Sequence, residues 1–178
     1  MSEPAVDKPL QPLAYGKVDA PHGQHLATSA LSFDETVVRL KRALQDQDLW
    51  LIHEIDPRML LRLGGYDIPA TRQLLFFHPR YMARLLSAVP AAIVEAPLKL
   101  VVMQTPAGSD TQAGAVCVRC PDPRALFGRY NGLAALGEEL SSLCIRLLNT
   151  VACESDVRIN PHSQSIISCT GNPLSPLD

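Results

Sequence analysis

Between residues 24 and 152 the apolar positions change period several times, and each change marks an element. Phe33, Val37, Leu40 and Leu44 recur at three- and four-residue spacing, with Glu35, Arg39, Arg42 and Gln45 pointing away, which predicts an amphipathic helix. Ser32-Phe33-Asp34-Glu35 ahead of it reads as a capping box, in which the Ser32 hydroxyl accepts from the Glu35 amide and the Glu35 carboxylate reaches back. Residues 49–55 form a short apolar run rich in strand formers. Asp56-Pro57 then supplies an N-cap and a first helical residue, and Gly64-Gly65 stops that short helix. Residues 73–77 predict another strand. Pro79 opens a helix with Met82, Leu85, Leu86 and Val89 on one face, and Pro90 ends it. Residues 98–104 and 113–119 flank the turn-rich segment 106–110 and predict a hairpin. Leu136, Leu140, Leu143, Leu147 and Val151 mark a long closing helix, and the weak alternation over 25–31 predicts an edge strand.

Helices alternate with strands until the final hairpin. That order predicts an α+β domain of two layers, a mixed or antiparallel sheet with helices on one face. The strand interiors carry apolar groups on both sides: Leu51, Ile52 and Ile55, then Leu74, Leu75, Phe76 and Phe77, then Leu100, Val101 and Val102. Helices on one face would leave the other as an apolar patch of several hundred Å² or more, which soluble monomers rarely expose. A subunit or a tail is the expected cover, and a symmetric homodimer, meeting through that face or an edge strand beside it, is the commonest solution. Residues 1–23, with Pro4, Pro9, Pro12 and Pro21, predict an extended or disordered arm. Residues 24–152 form the single α+β domain. Residues 153–178, with Pro161, Pro173 and Pro176, predict an irregular C-terminal tail.

Composition narrows the function classes. At 178 residues the chain can build one self-sufficient core. The formal charge is −2, with basic and acidic residues interspersed, so no basic stripe for nucleic acid is expected. The apolar runs are too short to span a bilayer, and no secretory signal stands at the N-terminus, so the expected location is cytoplasmic. Five cysteines, an odd number, read as reduced thiols.

Several of these segments resemble one family. Ser32-Phe33-Asp34-Glu35-Thr36 with Arg39-Leu40-Lys41, and Leu51-Ile52-His53-Glu54-Ile55-Asp56, are similar to the domain of unknown function numbered 302, found in bacteria and archaea. The likeness continues through Phe77-His78-Pro79-Arg80-Tyr81-Met82, Ala96-Pro97-Leu98-Lys99-Leu100-Val101-Val102, Asp122-Pro123 and Tyr130-Asn131-Gly132-Leu133. The resemblance implies a compact α+β domain, often dimeric, with no established reaction or ligand. Some members carry Cys where Phe77 and Leu98 stand here.

Four residues are candidates for ligand binding: His78, His53, Arg72 and Lys99. His53 and Glu54 are neighbours on a strand and face opposite sides. His53 shares alternation with Leu51 and Ile55, and reads either as a buried, hydrogen-bonded imidazole or as a base titrating near neutrality. His78 ends a strand just before a helix. It can cap that helix, or it can help hold an anion there with Arg72 and Arg80 nearby. Lys99 interrupts an apolar strand, where its stem can pack while its ammonium reaches solvent. Cys117 and Cys120 match C-x-x-C, but on a strand that spacing puts the sulfurs on opposite faces, so no metal site and no cofactor are expected. The reading is a soluble homodimeric domain that binds a small molecule or a protein partner without demonstrable catalysis. The alternative is an enzyme using His53 and His78 in a pocket near the dimer seam.

Overall fold

Ser32 starts the first helix as its sequence implies: its hydroxyl accepts from the Glu35 amide, and Glu35 Oε2 accepts from the Ser32 amide at 3.1 Å. The computed structural model describes residues 9–13, 23–105 and 114–158, with side chains up to Cys153. In chain order the elements are β1 (Gln11–Pro12), β2 (Gln24–Ser29), α1 (Phe33–Asp46), β3 (Trp50–Ile55), α2 (Pro57–Leu63), β4 (Tyr66–Asp67) and β5 (Thr71–Phe77). They continue with α3 (Pro79–Ala88), a 3-10 turn (Pro90–Glu95), β6 (Leu98–Gln104), β7 (Val116–Pro121), α4 (Pro123–Phe127), α5 (Ala134–Asn149) and β8 (Ala152–Arg158).

Six strands form one sheet in the order β3-β5-β6-β7-β2-β8, and every neighbouring pair is antiparallel. β1 and β4 make a separate two-residue parallel pair. This is an α+β fold. Among the described residues no helix is long and apolar enough to cross a membrane.

The register sorts side chains into rows. On the helix-covered face, Phe76 lies beside Leu98, Leu74 beside Leu100, and Val102 beside Val118, which neighbours Ala27. All of these are buried to within 1% of full occlusion. Leu40 and Leu44 of α1 and Leu140, Leu143 and Leu147 of α5 close over them. Full burial of each such side chain contributes about 1.5–3 kcal/mol, so this one layer holds the fold together.

Four expectations need correction. The strand at the N-terminal end of the domain is not an edge, because β8 pairs along its outer side. For the same reason the stretch from Cys153 begins as strand up to Arg158, where its composition suggested an irregular tail. Short polar strands carry little periodicity, and β8 is held by pairing with β2. The second hairpin strand is shifted to Val116–Pro121, and its connecting residues 106–113 lie outside the described residues. Most importantly, the uncovered sheet face is not an apolar patch. Its rows mix polar and apolar groups: Ile55, Gln73, Val101, Arg119 and Leu26 in one, Thr71, Met103, Cys117 and Thr28 in another.

The large exposed apolar groups gather elsewhere. Trp50, Leu51 and Ile52 are 57%, 39% and 55% exposed on β3, one edge of the sheet. Helix α2 has no buried residue, and its Met59, Leu60 and Leu63 are all exposed.

Candidate functional site

Two hollows and one buried polar network hold most of the chemistry among the described residues. The larger hollow, about 670 Å³, opens at the end of the sheet between the start of α1, helix α2 and the beginning of β5. Its charged lining comprises three arginines, Arg58, Arg62 and Arg72, against two aspartates, Asp34 and Asp56. Phe33, Met59, Leu63 and Ala70 supply apolar walls.

Arg72 points from β5 toward the helix side, in the row of Val102. Its Nη1 donates to Asp56 Oδ2 at 2.7 Å. Its Nε lies 3.4 Å from Glu54 Oε1, outside hydrogen-bond geometry, so this buried N–H has no acceptor among the described residues. Glu54 is itself ion-paired with Lys41 of α1. Asp56 has a second task as N-cap of α2, accepting from the Met59 amide at 3.0 Å. That amide first, and Arg72 after it, hold the Asp56 carboxyl below its ordinary range despite partial burial. Arg58 and Arg62 both reach Asp67 Oδ1, at 3.2 and 2.9 Å. Guanidinium groups carry five N–H donors each, so these pairings leave donor capacity at the cleft.

The smaller hollow, about 290 Å³, is an apolar groove beside the β3 edge, lined by Trp50, Ile52, Phe77, His78, Pro79, Met82 and Ala83. His78 caps α3: its Nδ1 accepts from the Arg80 amide at 3.0 Å. Its Nε2 lies 3.5 Å from Asp48 Oδ2, and its ring meets Trp50 edge-on at 5.4 Å between centroids. Asp48 also pairs with Arg80. Because the cap is a single bond on a partly open helix start, His78→Ala should lower stability by about 1 kcal/mol. A denaturant midpoint that does not move would show the cap to be energetically idle.

The four residues singled out from sequence do not converge. His53 is exposed, contrary to the buried alternative. A bulge between Leu51 and His53 also breaks the alternation assumed for it, so Leu51 opposes Phe76 on the covered face while His53 opposes Leu75 on the open one. Lys99 is exposed too, across Leu75 from His53. Two strand spacings separate these groups, about 10 Å. Arg72 sits in the large cleft and His78 at the small groove.

The sequence reading passed over a third cluster. His25 (β2), Asp122 (N-cap of α4) and Ser141 (α5) are all buried to within 1% of full occlusion. Ser141 Oγ donates to Asp122 Oδ1 at 3.0 Å, His25 Nε2 lies 2.9 Å from Ser141 Oγ and 3.3 Å from Asp122 Oδ1, and the Arg124 amide donates to the same carboxylate at 3.0 Å. Burial alone would raise the Asp122 pKa, but the His25 bond and the Arg124 amide hold it far below the usual carboxylate range. The residue types match a hydrolytic triad. The geometry does not, because Ser141 and Asp122 meet the same imidazole nitrogen, whereas a base that activates serine uses one nitrogen for each. Asp122-Pro123 repeats the cap signal of Asp56-Pro57, and that signal alone could have marked the position.

These features define an open antiparallel sheet with helices on one side, carrying an arginine-lined cleft at one end. The chain belongs to the DUF302 family, a domain of unknown function, whose family model matches residues 25–151. It is similar in fold to an uncharacterized conserved DUF302 protein from Bacillus stearothermophilus, with 20% identity and a TM-score of 0.65 over 72% of this chain and 98% of the other. No curated protein matches the sequence.

Proposed function

We propose that the chain is a cytoplasmic, homodimeric domain that binds a small carboxylate- or phosphate-bearing molecule in the Arg72 cleft. The observation that carries this reading is the convergence of Arg58, Arg62 and Arg72 with apolar walls around one open cleft. An oxyanion in the cleft would draw on the donor capacity that the Asp56 and Asp67 pairings leave on these guanidinium groups, while its apolar portion packs on Phe33, Met59 and Leu63. Planar, bidentate recognition of such groups is what arginine does better than lysine.

Dimerisation is supported by the exposed edge. Pairing β3 with the β3 of a second copy gives a two-fold, self-complementary contact that covers Trp50, Leu51 and Ile52. The apolar groove at His78 would then accept an apolar side chain from the second copy. His53 and Lys99 line neither hollow, and among the described residues no nucleophile–base pair reaches the cleft, so binding is preferred over catalysis.

The test is calorimetric titration with inorganic phosphate and a panel of small mono- and dicarboxylates. Binding by at least one of them should weaken about tenfold or more in Arg72→Lys, which keeps the charge and loses the fork. Undiminished binding in that variant, or no binding by any member of the panel, would count against the cleft.

A further inference from the structure

The sheet and the closing helix are joined by a pair of cysteines that the C-x-x-C spacing does not reveal. Cys117 and Cys120 lie on opposite faces of β7, as strand geometry requires, and Cys120 points toward α5. There it meets Cys144, with the two sulfurs 3.1 Å apart. Both thiols are fully buried. His25 stands directly opposite Cys120 across the β2–β7 ladder, and Ser141, its hydrogen-bond partner, is one turn before Cys144 on α5. The four side chains therefore form two adjacent rungs between sheet and helix: His25 with Ser141, and Cys120 with Cys144.

We propose that Cys120 and Cys144 are a reversible dithiol–disulfide pair, oxidised by hydrogen peroxide or a related hydroperoxide. Two observations point the same way. The sulfurs are already inside van der Waals contact, so bond formation needs a movement of about 1 Å against a disulfide length near 2 Å. The Cys120 thiol donates its hydrogen to the Cys144 sulfur, which makes Cys144 the sulfur placed to react first. The hydrogen bond to Cys144 and burial both raise the Cys120 thiol pKa, so Cys120 stays protonated in the reduced pair.

The chemistry balances without a further reactant. Cys144 loses its proton and attacks one oxygen of the peroxide; the O–O bond breaks, giving a sulfenic acid and one water. Cys120 then gives up its proton and attacks that sulfur, forming the S–S bond and releasing a second water. Two thiols are oxidised by two electrons, and one hydrogen peroxide is reduced to two waters. A thiol reductant reverses the step by exchange. The bond would fasten the inner face of β7 to the middle of α5.

The experiment treats the folded, full-length protein with hydrogen peroxide, blocks remaining thiols by alkylation, and maps disulfides by peptide mass spectrometry. The expected product is an intramolecular Cys120–Cys144 link that dithiothreitol removes and that also forms in Cys117→Ser. Cys144→Ala should abolish it and leave Cys120 alkylatable after unfolding. The wild-type map decides the question even if that variant folds poorly. Links that involve Cys117, Cys153 or Cys169 in place of this pair, or two reduced thiols here after treatment that oxidises Cys153, would overturn the proposal.

Discussion

Replacing Asp122 with alanine should cost about 3–5 kcal/mol of folding stability, the range for stripping a buried charged group from its partners. The loss has a stated origin. The carboxylate accepts from the Ser141 hydroxyl and the Arg124 amide, and lies 3.3 Å from His25 Nε2. Alanine leaves these polar groups in a sealed space between β2, α4 and α5. Against a typical total of about 5–15 kcal/mol, that is a large share. The same residue sets an acid dependence. Folding depresses the Asp122 pKa, so its contribution is complete above the unfolded value near about 4 and is lost as pH falls through the lower folded value. Unfolding free energy from denaturant curves should therefore fall as the pH drops below about 4, and Asp122→Asn should flatten that fall. Equal acid slopes in the two proteins would remove Asp122 from the explanation.

Ile52→Lys should convert the proposed dimer to a folded monomer. Ile52 is 55% exposed within one chain, so the substitution leaves the core intact and places a charge where β3 would meet its copy. Loss of a central apolar contact of this kind costs about 2 kcal/mol or more, which is about thirtyfold or more in dissociation constant, and an edge lysine opposes strand pairing directly. Light scattering at micromolar concentration reads the change. If the wild type is dimeric and Ile52→Lys keeps the dimer mass, the contact lies elsewhere, with the exposed face of α2 the next place to look.

Much of the framework was legible because local signals agree with the tertiary structure. Ser32 with Glu35, Asp56 with Pro57, and Pro79 each mark a helix start where the structure has one. The strand β6 matches its apolar run residue for residue. Errors arose where pairing decides the outcome. β8 is chosen by the free side of β2, and the bulge in β3 sends Leu51 and His53 to different faces, which strict alternation cannot foresee. The apolar content of the strands implies a contact on the open face or on an edge strand beside it, and the exposed apolar groups lie along that edge and on α2, not across the open face. Of the candidate residues, Arg72 and His78 border hollows, while His53 and Lys99 stand on open surface. The polar network was hidden for a simple reason. His25, Asp122 and Ser141 are 116 and 19 residues apart along the relevant contacts, and only the folded register brings them together.

Native mass spectrometry of the gently purified protein tests the central claim most directly, because it reads subunit number and bound mass together. The account predicts a dimer carrying a small molecule that is diminished in Arg72→Lys while the dimer persists. A bare monomer at micromolar concentration, or a bound molecule retained equally by Arg72→Lys, would contradict it.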